Sequence, residues 1–199
     1  MIEKKIISLK KNELAIKEFI KKNLGKGKIS EIKIARTPIG EKIVIITARP
    51  GVIVGRRGEN ILDLTESLKR EFGLQNPKLE IAEIKKPEFD AQTIADQIAL
   101  ALERFGSNSF KIVAYRFLER VKRAGALGCE IILGGRLPSE KARSWRFAFG
   151  YLKKTGETSN LVDRAEAVGK TKSGVVGVKV AVLPPDVKIP DRIEIRGEE

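Results

Sequence analysis

The sequence is poor in the residues on which many enzymes depend: it has no histidine and a single cysteine in 199 residues. The absence of histidine excludes imidazole acid–base catalysis and histidine-ligated metal sites. One cysteine excludes zinc clusters built from several cysteines, and it excludes intrachain disulfides. That cysteine, Cys129, stands in a strand-like run, which predicts a small buried apolar residue. We therefore expect no cofactor and no metal site.

Long apolar runs are also missing. No stretch of the chain approaches the length that a membrane span requires. Residues 1–11 are rich in charge and lack the apolar core of a signal peptide. The sequence therefore predicts a cytoplasmic protein with no membrane partner.

Positive charge is what the chain has in excess, with 39 basic and 26 acidic residues and a formal net charge of +13. The excess lies in residues 1–86 and 87–183, whereas acidic residues outnumber basic ones in residues 184–199. A polyanionic partner, above all nucleic acid, is the leading explanation. The alternative is a solvated lysine-rich surface of the kind found in thermophile proteins.

The most informative stretch is Gly55-Arg56-Arg57-Gly58, in which two glycines enclose two arginines. A β-branched run at residues 43–47 precedes it, and an apolar pattern with helical spacing follows it. Glycine allows the backbone to approach a ligand, and the free amides that begin a helix suit a phosphate. This is the form of the KH-domain GXXG loop, which clamps single-stranded nucleic acid. An ordinary turn is the alternative, and the context favours the clamp.

The elements around this loop predict one compact α+β domain over residues 1–86. A helix capped by Asn12 is expected to run to about Asn23, and two strands follow it. The predicted order is helix, strand, strand, short helix, GXXG, helix, strand. Pro87 marks the boundary to the next segment, because proline disfavours helix at the residue before it.

Residues 87–183 predict two helices followed by four strands. Asp90 is expected to cap the first helix, and Ser107 or Ser109 the second. The second helix, from about Ser109 to Ala124, has an apolar face and a basic row formed by Arg116, Arg120 and Arg123. Lys111 and Lys122 are expected to flank that row. The four strands are expected around Cys129–Leu133, Trp145–Tyr151, residues 159–168 and Val176–Val182.

Aromatic residues alternate along one of these strands, at Trp145, Phe147, Phe149 and Tyr151. Such a stripe can stack bases in RNA-binding sheets. The alternative is a sheet face packed on the two preceding helices. We favour packing, because those helices need an apolar partner and few other large residues offer one.

Three motifs in order and spacing identify a known family. They are the KH segment from Gly51 to Ile61, the run from Gly125 through Arg136 and Leu137 after the basic helix, and the run from Ser173 to Val180. Over residues 3–183 the chain resembles small-subunit ribosomal protein three in its archaeal and eukaryotic form. The composition indicates nucleic acid, and only the resemblance indicates the ribosome.

The resemblance implies a type II KH domain at residues 1–86, then a second α/β domain of two helices on a four-stranded sheet at residues 87–183, and a charged tail at residues 184–199. It implies a structural role in the head of the small ribosomal subunit. The implied partners are small-subunit ribosomal RNA, small-subunit proteins ten and fourteen, and messenger RNA where it enters the subunit.

Family members carry an adjacent basic pair at the start of the second helix of the C-terminal domain, and this pair helps to unwind structured message. Here the pair aligns with Lys111 and Ile112, so the implied role is carried by Lys111 alone. The arginine row on the same helix is expected to compensate. The candidate RNA-binding residues are Gly55, Arg56, Arg57, Gly58, Lys111, Arg116, Arg120, Arg123, Arg136, Arg143 and Arg146.

Two other functions stay open at this stage. One is a free KH protein that acts as an RNA chaperone or regulator, although a generic KH module would not need the second domain. The other is a nuclease or lyase with a lysine nucleophile of shifted pKa. No acidic cluster for metal ions is apparent in the sequence, so we predict a protein without catalytic residues.

Overall fold

The computed structural model describes residues 2–37, 40–74, 76–187 and 189. The chain divides into two compact units, the first ending at Pro87 and the second beginning at Glu88. The tail expected at residues 184–199 lies for the most part outside the described residues. None of the described helices is long and apolar enough to cross a membrane.

The first unit combines helices with a three-stranded sheet of order β1-β2-β3. Strands β1 and β2 pair antiparallel, whereas β2 and β3 pair parallel. The elements are α1 (Ile2–Leu24), β1 (Glu31–Thr37), β2 (Gly40–Thr47), α2 (Pro50–Val54), a 3₁₀ turn (Arg56–Gly58), α3 (Glu59–Phe72) and β3 (Lys78–Glu83). The predicted order of elements is therefore correct.

The core of this unit forms where the apolar faces of α1 and α3 pack on the sheet. The fully buried side chains include Ile20 of α1, Ile43 and Ile45 of β2, and Leu68 of α3. β2 is the central strand and alternates buried with half-buried residues, as a strand covered by helices on one side should. Because helices and strands share one core, the unit is an α+β domain.

Helix α1 begins earlier than predicted, at Ile2 instead of after Asn12. Asn12 therefore lies inside the helix and does not cap it. The preceding residues are mainly Lys, Ile, Leu and Glu, which all tolerate a helical backbone well. Capping residues mark a helix start only when the residues before them disfavour helix.

The second unit consists of two helices on a four-stranded antiparallel sheet of order β5-β4-β7-β6. The elements are α4 (Ala91–Phe105), a 3₁₀ turn (Ser107–Ser109), α5 (Phe110–Arg123), β4 (Gly128–Gly135), β5 (Arg143–Gly150), a second 3₁₀ turn (Glu157–Leu161), β6 (Asp163–Thr171) and β7 (Gly174–Leu183). This confirms the predicted architecture of two helices on four strands.

Acidic side chains fix the start of α4. The backbone N–H of Thr93 donates to Oδ2 of Asp90 over 2.9 Å, so Asp90 caps the helix as predicted. The N–H of Ala91 donates to Oδ2 of Asp163 over 2.8 Å and ties the helix start to β6. Ser109, at the start of α5, makes no such cap; its hydroxyl donates back to the carbonyls of Phe105 and Gly106.

The aromatic face of β5 packs inward, on the helices. Phe147 is buried, and its ring lies 6.4 Å from that of Phe110 and 5.1 Å from that of Tyr115, measured between centroids. Trp145 lies 5.2 Å from Phe110. The structure therefore supports packing for these rings instead of base stacking.

Cys129 lies on the same inner face, and it is 1% exposed. Burial raises the pKa of its thiol to about 12, and the charge of Glu130 adds to the effect. The thiol is therefore protonated and inert at neutral pH, as the sequence predicted for a small buried residue.

The strand predicted at residues 159–168 is displaced along the chain. Residues Glu157–Leu161 form a 3₁₀ turn, and strand β6 runs from Asp163 to Thr171. Pairing with β7 extends to Thr171 opposite Gly174, where the hydroxyl of Thr171 donates to the Gly174 carbonyl over 2.8 Å. The hairpin with β7 sets the end of β6, and local propensity does not reveal such a partner.

Candidate nucleic-acid interface

The GXXG loop connects α2 to α3 through backbone conformations that favour glycine. Gly55 has φ 75° and Gly58 has φ 83°, both in the region that residues with a Cβ disfavour. Arg57 has φ 55° and is the one non-glycine residue in the described chain with positive φ. The loop therefore turns sharply and exposes the residues between its glycines.

The two glycines are required for different reasons. A Cβ on Gly55 would lie 2.6 Å from both Cγ and Nδ2 of Asn60, so that side chain fills the space. Nδ2 of Asn60 also donates to the carbonyl of Val52 over 3.4 Å and bridges the loop. A Cβ on Gly58 would meet no atom within 4 Å. Gly58 is thus constrained by φ alone, and its surroundings are open to a ligand.

The loop presents positive charge at the N-terminus of α3. Arg56 and Arg57 are both exposed, and no side chain caps the 14-residue helix that follows. Free N–H groups and the helix dipole make this end attractive to an anion. Glu59, in the first turn, is the opposing charge there. Two arginines against one glutamate leave the loop cationic, which suits a phosphate.

Helix α5 carries the second group of candidate residues. Its apolar side is buried against the sheet and α4 through Phe110, Val113 and Val121. Helix geometry places Lys111 about 140° around the axis from Arg116. Contacts agree with this: Arg120 reaches Gln97 of α4, whereas Lys111 lies over Trp145 of β5. The structure therefore corrects the expectation that Lys111 flanks the arginine row.

The three arginines of the row differ in their partners. Nη1 of Arg120 is 3.3 Å from Oε1 of Gln97, and its Nη2 is 3.8 Å from Oε1 of Glu88. Nη2 of Arg123 is 2.6 Å from Oε1 of Glu119. Arg116 is exposed and has no hydrogen bond or ion pair to any described residue. Of the row, Arg116 is the most available for a new anion.

The other flank of α5 mixes charge with exposed apolar surface. Nζ of Lys111 lies 4.9 Å from the centroid of the Trp145 ring and 5.9 Å from that of Phe110. Ile112, at the position where the resemblance implies a basic residue, is 73% exposed. This position of the helix therefore faces solvent and offers no charge to a polyanion.

Arg136, Arg143 and Arg146 are placed around the β4–β5 connection and do not form one cluster. Nε of Arg136 donates to the carbonyl of Glu140 over 3.1 Å, which holds the connecting loop. Arg143 is exposed at the first position of β5. Arg146 lies on the outer face of the sheet, where its Nε donates to Glu130.

No sequence pattern predicts that Glu130 is the acidic partner of Arg146, or that Lys154 shares this carboxylate. Oε1 of Glu130 also accepts from Nζ of Lys154 over 3.1 Å. Burial opposes the charged form of Glu130, but the hydrogen bonds from Lys154 and Arg146 outweigh it, and the pKa of the carboxyl is lowered. Glu130 alternates in β4 with the inward-facing Cys129 and Ile131, and only the fold brings Arg146 and Lys154 to its carboxylate.

A metal-binding arrangement does not occur in the part of the chain that the structure describes: no three acidic or cysteine side chains there are grouped to hold an ion. The basic groups around the GXXG loop and α5 present positive charge and hydrogen-bond donors, which suit a polyanion.

Family comparisons agree with this geometry. A model of the KH domain matches residues 15–89, and a model of the ribosomal protein S3 C-terminal domain matches residues 98–182. The chain is 42% identical to small ribosomal subunit protein uS3 of Methanocaldococcus jannaschii, over 98% of this chain and 94% of the relative. The chain belongs to the ribosomal protein S3 family.

Two further members of the ribosomal protein S3 family match nearly the whole of this chain. Small ribosomal subunit protein uS3 of Archaeoglobus fulgidus is 39% identical over 98% of this chain and 84% of its own length. The protein of the same name from Methanococcus aeolicus is 36% identical over 98% of this chain and 94% of its own length. The resemblance inferred from the three motifs is thereby confirmed. The family is one of structural ribosomal proteins, which agrees with the prediction that the chain is not an enzyme.

Proposed function

We propose that this protein is a structural constituent of the head of the small ribosomal subunit in the cytoplasm. It binds ribosomal RNA and lines the opening through which messenger RNA enters, next to small-subunit proteins ten and fourteen. The relatives named as small ribosomal subunit proteins support the ribosomal part of this proposal. The exposed basic residues of the GXXG loop and of α5 support the RNA-binding roles that we assign to these two surfaces.

The single observation that carries RNA binding is the GXXG loop. Its two arginines are exposed, Gly58 is open to approach, and the α3 N-terminus lacks a side-chain cap. A phosphate placed there accepts hydrogen bonds from backbone N–H groups and from guanidinium groups at once. Such contacts read the backbone and not the bases, so the loop binds RNA without a strong sequence requirement.

Helix α5 is the surface that we assign to incoming message. Its arginine row is held on a rigid helix, and Arg116 and Arg123 stand about 10 Å apart along the axis. The acidic partners of Arg120 and Arg123 do not block this role, because exposed ion pairs contribute only about 0–1 kcal/mol and phosphates compete with them. A strand held at several phosphates does not easily pair again, so binding alone favours the unwound form.

Cosedimentation separates this proposal from a free RNA chaperone or regulator. Small subunits are isolated from cells that express the tagged protein, washed at high salt and separated on a gradient. We expect the protein to stay with the subunit in equimolar amount, because many buried RNA and protein contacts hold it. A free KH protein depends mainly on phosphate contacts, so salt would remove it. Loss of the protein from washed subunits would contradict the proposal.

A further inference from the structure

The sheet of the second unit has an outer face that α4 and α5 do not cover. Register aligns Arg146 of β5, Ile132 of β4, Lys179 of β7 and Glu166 of β6 across this face. The adjacent row consists of Ala148, Glu130, Ala181 and Arg164. In the second row, two small residues, Ala148 and Ala181, thus alternate with the charged ones.

A cavity of about 260 Å³ lies on this face. Leu152 and Lys154, which follow β5, line it together with residues of β4, β6 and β7. The charged side chains that line the cavity are Glu130, Lys154, Arg164, Glu166 and Lys179. Arg146 lies at its margin through its bond to Glu130.

A buried carboxylate organises the cations on one side of the cavity. Glu130 is 7% exposed, and its Oε1 atom accepts from both Nε of Arg146 and Nζ of Lys154. Because a single carboxylate serves two cations, this side keeps a net positive charge. Glu130 therefore fixes the two cations in place and balances only one of their two charges.

The other charged residues that line the cavity also leave a positive surplus. Nζ of Lys179 is 2.9 Å from Oε1 of Glu166, and both side chains are largely exposed. Arg164 donates from Nη2 to the hydroxyl of Ser159 and to the carbonyl of Lys153, which are both neutral acceptors. Four cations thus face two carboxylates around one small space, and the surplus is positive.

Unused hydrogen-bond donors remain in this arrangement. Arg146 has five N–H donors and uses the one on Nε, so its two terminal nitrogens have no partner among the described residues. Lys154 uses one of three donors. An anion with several acceptor oxygens satisfies these donors together.

We propose that the cavity binds a phosphate group of the RNA backbone, at a site separate from the GXXG loop and from α5. The proposal rests on the RNA-binding function proposed above. The small residues Ala148 and Ala181 let a sugar–phosphate chain come close to the sheet. The outward positions of the four strands hold no aromatic side chain, so the site contacts the backbone and does not stack bases.

An affinity experiment on the full chain tests this assignment. The cavity variant carries Lys154→Gln and Lys179→Gln, and the control variant carries Lys141→Gln and Lys172→Gln. Both remove two exposed positive charges from the second unit, but the control residues do not line the cavity. A transcript of small-subunit ribosomal RNA is the probe, and dissociation constants are measured over a range of salt concentrations.

We expect the cavity variant to bind the transcript about tenfold more weakly than the wild type. Its plot of log affinity against log salt should be flatter by about 0.7–0.9, as for the loss of one phosphate contact. The control should change affinity less than twofold. Arg164→Gln is a second cavity variant, with the same direction expected, and thermal unfolding shows that each variant is folded.

Lysine acylation identifies the occupant directly. We expect RNA to protect Lys154 and Lys179 from an acylating reagent in the complex of the transcript and the protein alone. Protection that requires the assembled subunit would mean a protein occupant and would overturn the proposal. Equal affinities of the cavity and control variants would also overturn it. If the wild-type chain itself bound no ribosomal RNA, the proposed function would fail instead.

Discussion

The ammonium group of Lys111 lies over the indole ring of Trp145, with Nζ 4.9 Å from the ring centroid. This contact holds Lys111 on the β5 flank of α5, while Arg120 contacts residues on the α4 side. The basic residues of the helix thus form two surfaces instead of one. A strand of message that follows Arg116 does not pass Lys111 on the same side of the helix. The two flanks therefore need separate tests.

The first prediction separates the two flanks of α5. Ribosomes are assembled with Lys111→Gln or with Arg116→Gln, and translation is timed on messages with and without a stable hairpin. We expect Arg116→Gln to slow the hairpin message selectively. The Arg116 guanidinium has no partner among the described residues, so the substitution removes a group available to phosphates and breaks no contact described within the protein. Lys111→Gln should lower the free energy of unfolding by about 0.5–1 kcal/mol, because the cation–π contact between Lys111 and the Trp145 ring is lost.

Two results would count against this role of α5. Equal slowing of both messages would indicate a general defect and not unwinding. Failure of the Arg116→Gln protein to enter subunits would indicate that the arginine row anchors the protein on ribosomal RNA. Lys10→Gln is a control, because Lys10 is an exposed lysine of the first unit, outside α5 and the GXXG loop.

The second prediction concerns Gly58 and uses a matched pair, Gly58→Asp and Gly58→Asn. Both residues tolerate a left-handed backbone, and a Cβ at this position meets no atom within 4 Å. Asp is also favourable at the start of a helix, so Gly58→Asp should be at least as stable as Gly58→Asn. We expect RNA affinity to fall about tenfold further in the Asp variant, because its carboxylate repels a phosphate. Equal affinities of the two variants would mean that no phosphate approaches Gly58.

Gly55 is less suitable for this comparison. A Cβ there comes within 2.6 Å of the Asn60 amide, so any substitution displaces that side chain before RNA is present. Weaker binding by Gly55→Asp would therefore combine a local rearrangement with electrostatic repulsion. The comparison at Gly58 isolates the charge.

The third prediction concerns the salt dependence of binding through the loop. Arg56→Ala together with Arg57→Ala should make the slope of log affinity against log salt less steep by about one to two units, if each arginine meets one phosphate. Single-stranded RNA and the full chain are titrated at several salt concentrations. A slope equal to that of the wild type would show that these arginines face solvent in the complex.

The fourth prediction concerns Glu130 and pH. In the wild type the pKa of this carboxyl is lowered, so its contribution to stability is present above the pKa of the unfolded chain and disappears as pH falls through the folded pKa. In Arg146→Met with Lys154→Met the carboxyl stays buried without those cations, which raises its pKa. We expect this variant to lose about 1–3 kcal/mol of unfolding free energy at pH 7.

The loss should shrink as pH is lowered from about 6 to 3, because Glu130 then becomes neutral in the variant and in the unfolded chain. Chemical denaturation at several pH values measures it. Lys141→Met with Arg143→Met removes two exposed cations near the same sheet and should give a small, pH-independent change. A loss that is constant with pH in the Arg146 and Lys154 variant would contradict the role assigned to Glu130.

Local patterns in the sequence determined much of the fold and the first candidate site. Apolar spacing placed α3, α5 and every strand except β6, because a residue's face on a helix or strand depends on its neighbours in the chain. Asp90 was recognisable as a cap, and Gly55 and Gly58 marked the loop between α2 and α3. In these cases the signal lies within a few residues of its effect.

Local patterns failed where a distant partner decides the outcome. The extent of β6 depends on its pairing with β7, and the two flanks of α5 acquire different surroundings because β5 and α4 lie on either side. The two cation partners of Glu130 lie 16 and 24 positions later in the chain. Register between four strands assembles the cationic cavity from β4, β6 and β7 and the segment after β5. Such a site exists only after long-range pairing, and the tertiary structure alone decides it.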